Sequence, residues 1–333
     1  MNTAGIIGHT RQLKILELLR SGGNLPGAVL FSGRTGIGKK LIARRLLASL
    51  FCGAGDPPCL KCPACLQMAG GTFPDLIELG PDEKGTIPIG SADRSEAGSV
   101  RWLINRLSKK SVSGSYGVLI DGAERISTGG QNALLKTIEE PQEGAHIIII
   151  TANKSLILPT ILSRCMDLSF NPLSSAEVLR VLEAEGSAAR NSGLIADLSG
   201  GSVETALLLS DDAILTGIGT ICRELSAYLN SGKALILDMA AIQKKISMDQ
   251  LLTVMLNAYR AMLAAAIGGG PLDPFLNEIR VGDRLKLAKL IKILLALRRG
   301  LANNLNIRGA LKGMLYSIES IDELGLPRLD RAE

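Results

Sequence analysis

Ala28-Val29-Leu30-Phe31-Ser32-Gly33-Arg34-Thr35-Gly36-Ile37-Gly38-Lys39-Lys40 is the stretch that decides the fold. A short apolar run passes into a glycine-rich loop, and Leu41 to Leu50 continues with helical apolar spacing. Strand, loop and helix in that order are the setting a phosphate-binding loop requires. In the pattern G-x-x-x-x-G-K-[ST], glycines let backbone N–H groups surround the phosphates. The lysine reaches the terminal phosphates and the hydroxyl ligates Mg²⁺. Gly33, Gly36, Gly38 and Lys39 fit a nucleotide-binding loop of this kind, but Lys40 stands at the hydroxyl position. An ammonium has donors only and cannot ligate Mg²⁺. The sequence therefore reads as an ATPase scaffold that cannot run the chemistry, which puts ATP and Mg²⁺ binding in question.

Working outward, Gly117 to Ile120 and His146 to Thr151 are further apolar, β-branched runs. Helical segments lie at about Ser99 to Lys109 and at Asn132 to Glu140, the latter ending before Pro141. Buried runs alternating with helices predict a parallel sheet with helices on both faces. Asp121 closes the 117–120 run, where P-loop enzymes hold Mg²⁺. The next position, usually a glutamate that polarises the attacking water, is Gly122. Glu124, two places on, is expected to point elsewhere.

Cys52, Cys59, Cys62 and Cys65 form C-x₆-C-x₂-C-x₂-C. Four thiolates at this spacing suit a closed, tetrahedral, structural Zn²⁺ site. Two disulfides are the alternative, but they are rare in a cytosolic chain. The wide first spacing makes Cys52 the least regular ligand. Ser163-Arg164-Cys165 follows the helix-like 158–162 segment and precedes an apolar run from Met166 to Phe170. An arginine at a strand entrance can be presented to a neighbour's nucleotide; an ordinary surface arginine is the plain reading. Structural roles are expected for His9 and His146, a core position for Cys222, and a solvated helix face for Lys286, Lys289 and Lys292, with partner or DNA contact the alternative.

The 333 residues are too many for a single core, and the net charge of +5 is mild. With 3% aromatic residues, a single-strand binder that stacks bases on its own rings is disfavoured. The N-terminus lacks the basic region and long apolar run of a secretion signal, so a cytoplasmic location is expected. The apolar 251–270 segment carries Asn257 and Arg260 near its middle, which favours a buried helix over a membrane span. The expected organisation is an α/β nucleotide-binding-like domain over residues 1–170 and a helical lid over 171–210. An all-helical domain follows over 211–333, and a capping box at Ser174 to Glu177 opens the lid.

Over the first 210 residues the sequence resembles the clamp-loader branch of the AAA+ ATPases, most closely the delta prime subunits of bacterial DNA polymerase III. The likeness rests on Ile6-Ile7-Gly8, Phe31-Ser32-Gly33, the four-cysteine insertion, the segment Asn132-Ala133-Leu134-Leu135-Lys136-Thr137-Ile138-Glu139-Glu140-Pro141, and Ser163-Arg164-Cys165. The C-terminal part is similar only in length, helicity and the 304–311 segment. The resemblance implies an AAA+ fold and a zinc module at the cysteines. It implies that Arg164 acts as a trans arginine finger, with sensor-like positions at Thr151 and Asn153. It also implies a helical collar that joins gamma/tau motor subunits and a delta subunit in a five-membered ring. Through that ring the chain would serve the sliding clamp and primer-template DNA. Gly201-Ser202-Val203-Glu204 matches a motif that in motor subunits has arginine in place of Glu204. Lys40, Gly122 and Glu204 together imply a subunit that does not hydrolyse ATP, hence no enzyme as an isolated chain. An active ATPase, and a zinc-dependent nucleic-acid binder, are the other expectations.

Overall fold

A computed structural model describes residues 3–91, 96–187, 191–231, 242, 244–268 and 270–300. The 304–311 segment, and with it the end of the expected helical domain, lies outside them. The chain divides into two compact units, Met1–Leu173 and Ser174–Glu333.

The first unit is built on five parallel strands: β1 (Ala28–Ser32), β2 (Leu76–Leu79), β3 (Tyr116–Asp121), β4 (Ala145–Thr151) and β5 (Met166–Ser169). Their spatial order is β2-β3-β4-β1-β5. Both faces are covered, so the central strands carry unbroken apolar runs. Successive side chains of β4 divide between two cores. Ile147 and Ile149 join Leu30, Val118 and Ile120 against α4 (Val100–Leu107) and α5 (Thr128–Glu139). Ile148 and Ile150 join Val29, Phe31 and Leu119 against α1 (Thr10–Ser21) and α2 (Lys39–Phe51). The period of two is the pleat itself. A short α3 (Pro63–Ala69) starts after Cys62 and carries Cys65, the last of the cysteine cluster, and α6 (Pro159–Leu162) precedes β5.

Two elements depart from the sequence reading. β2 has only four residues in a polar neighbourhood, and its strand character comes from pairing with β3, Leu76 opposite Gly117 and Leu79 opposite Ile120. α5 starts at Thr128, ahead of Asn132, because the Ser127 hydroxyl caps the Gly130 N–H and Gly130 lets the helix approach Ile126. A Cβ there would lie 2.6 Å from Ile126. The 166–170 run gives an edge strand over Met166–Ser169, in which Leu168 alone is buried, and Phe170 beyond it is buried too.

In the second unit, described by itself, the capping box at Ser174 and Glu177 opens α7 (Ser175–Ala184). Then come α8 (Ser192–Leu198), α9 (Val203–Leu209), α10 (Asp212–Ser231), α11 (Met248–Gly268), α12 (Pro274–Asn277) and α13 (Arg284–Gly300). By length and composition α11 alone among the described helices is long and apolar enough to cross a membrane. It buries Leu251, Val254, Met255 and Met262, and its Tyr259 hydroxyl donates to the Cys222 carbonyl. That packing is a core helix's. Burial pushes the Cys222 thiol up to about 12, as a core position requires. The lysine stripe is only partly solvated: Lys286 is half-buried and donates to the Leu229 carbonyl, while Lys292 is exposed.

Candidate functional site

Ligands of open α/β sheets sit at the carboxyl ends of the strands, where the order reverses. The ends of β3, β4 and β1 are neighbours in this sheet and carry Asp121, Thr151 and the glycine loop. Gly36 and Gly38 have φ of 73° and 93°, the left-handed region that glycine enters without penalty. Gly33 is required for a different reason: a Cβ would lie 2.3 Å from the Phe170 carbonyl. Lys39 is buried, and its Nζ donates to the Gly33 and Arg34 carbonyls. The loop is braced from outside by His9, whose Nε2 lies 2.7 Å from the Ile37 carbonyl while its ring packs edge-on against Phe170. His9 therefore has the structural role expected of it.

At the metal position a lysine stands where the P-loop pattern has a hydroxyl ligand. Lys40 Nζ lies 3.1 Å from Asp121 Oδ2. Mg²⁺ requires a shell of oxygen ligands in octahedral geometry, whereas here an ammonium already neutralises the carboxylate. One turn further along α2, Arg44 makes two 2.6 Å hydrogen bonds to Glu78 on β2, and the field of Asp121 also helps hold its charge. The backbone at residue 122 adds a second obstacle. Gly122 has φ 82°, and a Cβ there would touch Pro81 at 3.3 Å. A glutamate at this position would be strained by about 1–2 kcal/mol.

Glu124 corrects the sequence expectation. It turns back to the sheet end and accepts from Thr151 Oγ1 at 2.8 Å and from the Ala152 N–H. The cause is a one-turn 3₁₀ helix, Ala123–Arg125, that starts from the left-handed Gly122. Thr151 Oγ1 in turn accepts from the Asn153 N–H at 3.1 Å. Asn153 itself caps the turn Lys154–Leu156 rather than reaching the glycine loop. Glu204 is exposed in the first turn of α9, in the second unit.

Gln131 carried no sequence signal and is the best-connected polar side chain near this corner. It is buried in α5 and donates to the Ile126 and Leu156 carbonyls, and its Oε1 accepts from the Leu158 N–H. One amide thus joins the loop after Asp121, the turn after Thr151 and the segment leading to Arg164. A buried glutamine must find partners, but which ones depends on chain topology.

Arg164 lies at the opposite pole. It precedes β5, whose Met166 pairs with Val29 and Ser169 with Ser32. Six residues of extended chain, about 20 Å, separate its level from Gly33. Its Nη1 donates to the Thr160 carbonyl at 3.0 Å and its Nη2 pairs with Glu139 Oε1 at 3.1 Å.

The sulfurs of Cys52, Cys59, Cys62 and Cys65 lie within 4.8 Å of one another, and all six cysteines of the chain are unbonded. Tetrahedral coordination at 2.3 Å sets sulfurs about 3.8 Å apart, and the Cys52 and Cys62 sulfurs are 4.0 Å apart. N–H groups of the turn face the sulfurs, from Cys59 to Cys52 and from Cys62 to Cys59, each at 3.3 Å. Hydrogen bonds from the Lys61 and Cys62 N–H groups bring the Cys59 thiol down to about 6, while burial pushes Cys65 up to about 12. Leu60 sits at φ 62° between them. The four residues can hold a metal ion, and their thiolate chemistry suits zinc. A closed set of four would fix this loop and leave no open position for catalysis.

A parallel α/β sheet with a glycine loop after β1 and an acidic residue at the end of β3 is the arrangement of a P-loop protein. Residues 8–174, half of the chain, match the family described as "DNA polymerase III, delta subunit". The chain belongs to that family, the clamp-loader proteins of DNA polymerase III. Over 238 residues, 68% of this chain, it is 34% identical to DNA polymerase III subunit tau of Escherichia coli (strain K12), of which the match spans 36%. Over 212 residues it is 32% identical to subunit gamma of Buchnera aphidicola subsp. Baizongia pistaciae, 61% of this chain and 55% of that one. The chain therefore spans about a third to a half of the length of these curated relatives. A crystal structure of a gamma subunit-related protein from Thermotoga maritima is 16% identical, with a TM-score of 0.43, covering 92% of this chain and 98% of that one.

Proposed function

We propose that this chain is a non-hydrolysing, delta prime-like subunit of a DNA polymerase III clamp loader. In this reading it assembles with gamma/tau motor subunits and a delta subunit in a hetero-pentamer. Arg164 completes a neighbour's ATP site, and the ring places the sliding clamp on primed DNA in the cytoplasm. The observation that carries the reading is the Lys40–Asp121 ion pair: the carboxylate that would hold the metal is held by the chain's own ammonium. The polar separation of Arg164 from the glycine loop supports the trans role, because a side chain about 20 Å away along the strands cannot serve its own pocket. Residues 1–170 form the nucleotide-binding-like domain with zinc at 52–65, residues 171–210 the lid, and residues 211–333 the collar.

A second reading, an active motor subunit, is favoured by the tau and gamma names of the relatives and by the Glu124 carboxylate at the sheet end. One experiment separates the two. The purified chain is assayed for ATP turnover with Mg²⁺, alone and mixed with a tau-type motor subunit, while complex mass is recorded. The non-hydrolysing reading expects no turnover alone, and a heavier, faster complex on mixing. Motor-like turnover by the lone chain would overturn it.

A further inference from the structure

At the amino pole of the sheet, Glu139 ends α5 while Arg164 ends the short turn that leads into β5. They are 25 residues apart and meet at 3.1 Å. We propose that Glu139 is a positioning residue for Arg164, holding its guanidinium poised for the phosphate of a neighbouring subunit's nucleotide. The inference rests on the trans-arginine reading above.

A guanidinium has five N–H donors. The recorded contacts employ Nη1, toward the Thr160 carbonyl at 3.0 Å and Ser163 Oγ at 3.5 Å, and Nη2, toward Glu139. At least two donors, Nε–H among them, are left for a second acceptor, which is the number a bidentate phosphate contact uses. Both side chains are substantially exposed, Arg164 at 34% and Glu139 at 53%. Exposed ion pairs add little to stability, so the consequence of this one is geometric. An arginine carries a large rotamer entropy, and fixing it before the neighbour arrives removes that cost from the reactive step. Glu139 can do this because α5 is itself fixed: Gln131, two turns upstream, ties it to the backbone at Leu156 and Leu158. The helix tied to the loops at the carboxyl pole thus ends beside the arginine at the other.

The test is a mutant cycle in the loader reconstituted with its motor subunit, reading kcat and KM for ATP separately. Glu139→Ala is expected to lower kcat about 10-fold, with KM unchanged and a melting shift of the chain under about 3 °C. Glu139→Gln keeps the acceptor oxygen and is expected to retain most of the rate. In an Arg164→Ala background, Glu139→Ala is expected to change nothing further. Wild-type kcat in Glu139→Ala, or an added loss in the Arg164→Ala background, overturns the proposal while the finger reading stands. Wild-type kcat in Arg164→Ala overturns the finger reading itself.

Discussion

The two poles of the sheet in the first unit make opposite use of charge. At the carboxyl pole, Lys40 and Asp121 neutralise each other at 3.1 Å, and Lys39 donates to carbonyls of its own loop. The glycine backbone is built for phosphate, but its ionic groups are engaged within the chain. At the amino pole, the Arg164–Glu139 pair is exposed and leaves guanidinium donors unused. Both are ion pairs of similar length. They differ in what the partnered groups present: at the first a carboxylate oxygen already faces an ammonium, at the second a hydrogen-bonding edge of the guanidinium remains. Distance between charges is therefore a poor guide to function, and the remaining donors and acceptors are a better one.

The largest effect should come from the amino pole. Arg164→Ala is expected to slow ATP turnover by the assembled loader about 10³-fold or more, the range for an arginine supplied in trans. A rate within a few-fold of wild type would remove the contrast between the poles. Next is the cysteine module, which tests whether the corner beneath α3 is held by metal. Cys65→Ser is expected to abolish stoichiometric zinc, read by elemental analysis. It should also lower the melting temperature by about 6–12 °C, as a loss of about 3 kcal/mol would in a unit this size. A zinc-free wild-type chain melting at the same temperature as the zinc-loaded one would refute a structural metal.

Gln131 sharpens the comparison because it anchors the helix whose other end carries Glu139. Gln131→Ala removes three hydrogen bonds and leaves buried groups unpaired, so a loss of about 2–4 kcal/mol in denaturant unfolding is expected. The smallest effects belong to the carboxyl pole. Gly122→Glu is expected to cost about 1–2 kcal/mol through its left-handed backbone. Lys40→Thr should change stability by less than about 1 kcal/mol, since the pair is exposed. Neither variant is expected to give the lone chain ATP turnover, because each repairs only one of the three positions Lys40, Gly122 and Glu204. Turnover in Lys40→Thr alone would show that the carboxyl pole lacks only its hydroxyl.

Acid should weaken the first unit through Asp75. Its buried carboxylate would be pushed up by burial, but hydrogen bonds from the Ser113 hydroxyl and from the Ser113 and Val112 N–H groups more than offset this and hold it below its usual range. A depressed carboxylate stabilises the fold above its ordinary value near 4 and loses that contribution as the pH falls further. Asp75→Asn should remove this part of the acid dependence.

Much of the scaffold was readable from local pattern. The strand–loop–helix at 28–50, the apolar runs of β3 and β4, the Ser174 capping box and the cysteine spacing all announce themselves within a dozen or so residues. β2 did not, because four residues amid polar ones become a strand only through pairing. Glu124 was misread because its direction is set by the left-handed Gly122 and by a threonine 27 residues away. The cysteine spacing indicated a metal set, and the 4.0 Å separation of two sulfurs shows that the backbone brings it together.

What the sequence determined by itself was the kind of scaffold and which chemical groups it lacks: glycines where a loop must wrap a phosphate, lysine where a hydroxyl belongs, no side chain at 122. These are properties of single residues and of short-range periodicity. The tertiary structure decided who partners whom. Lys40 meets Asp121 across 81 positions, and Glu139 meets Arg164 across 25, because β1 and β4 lie side by side in a sheet whose order is not that of the chain. An ion pair is specified by position in space, and residue type alone carries no information about that.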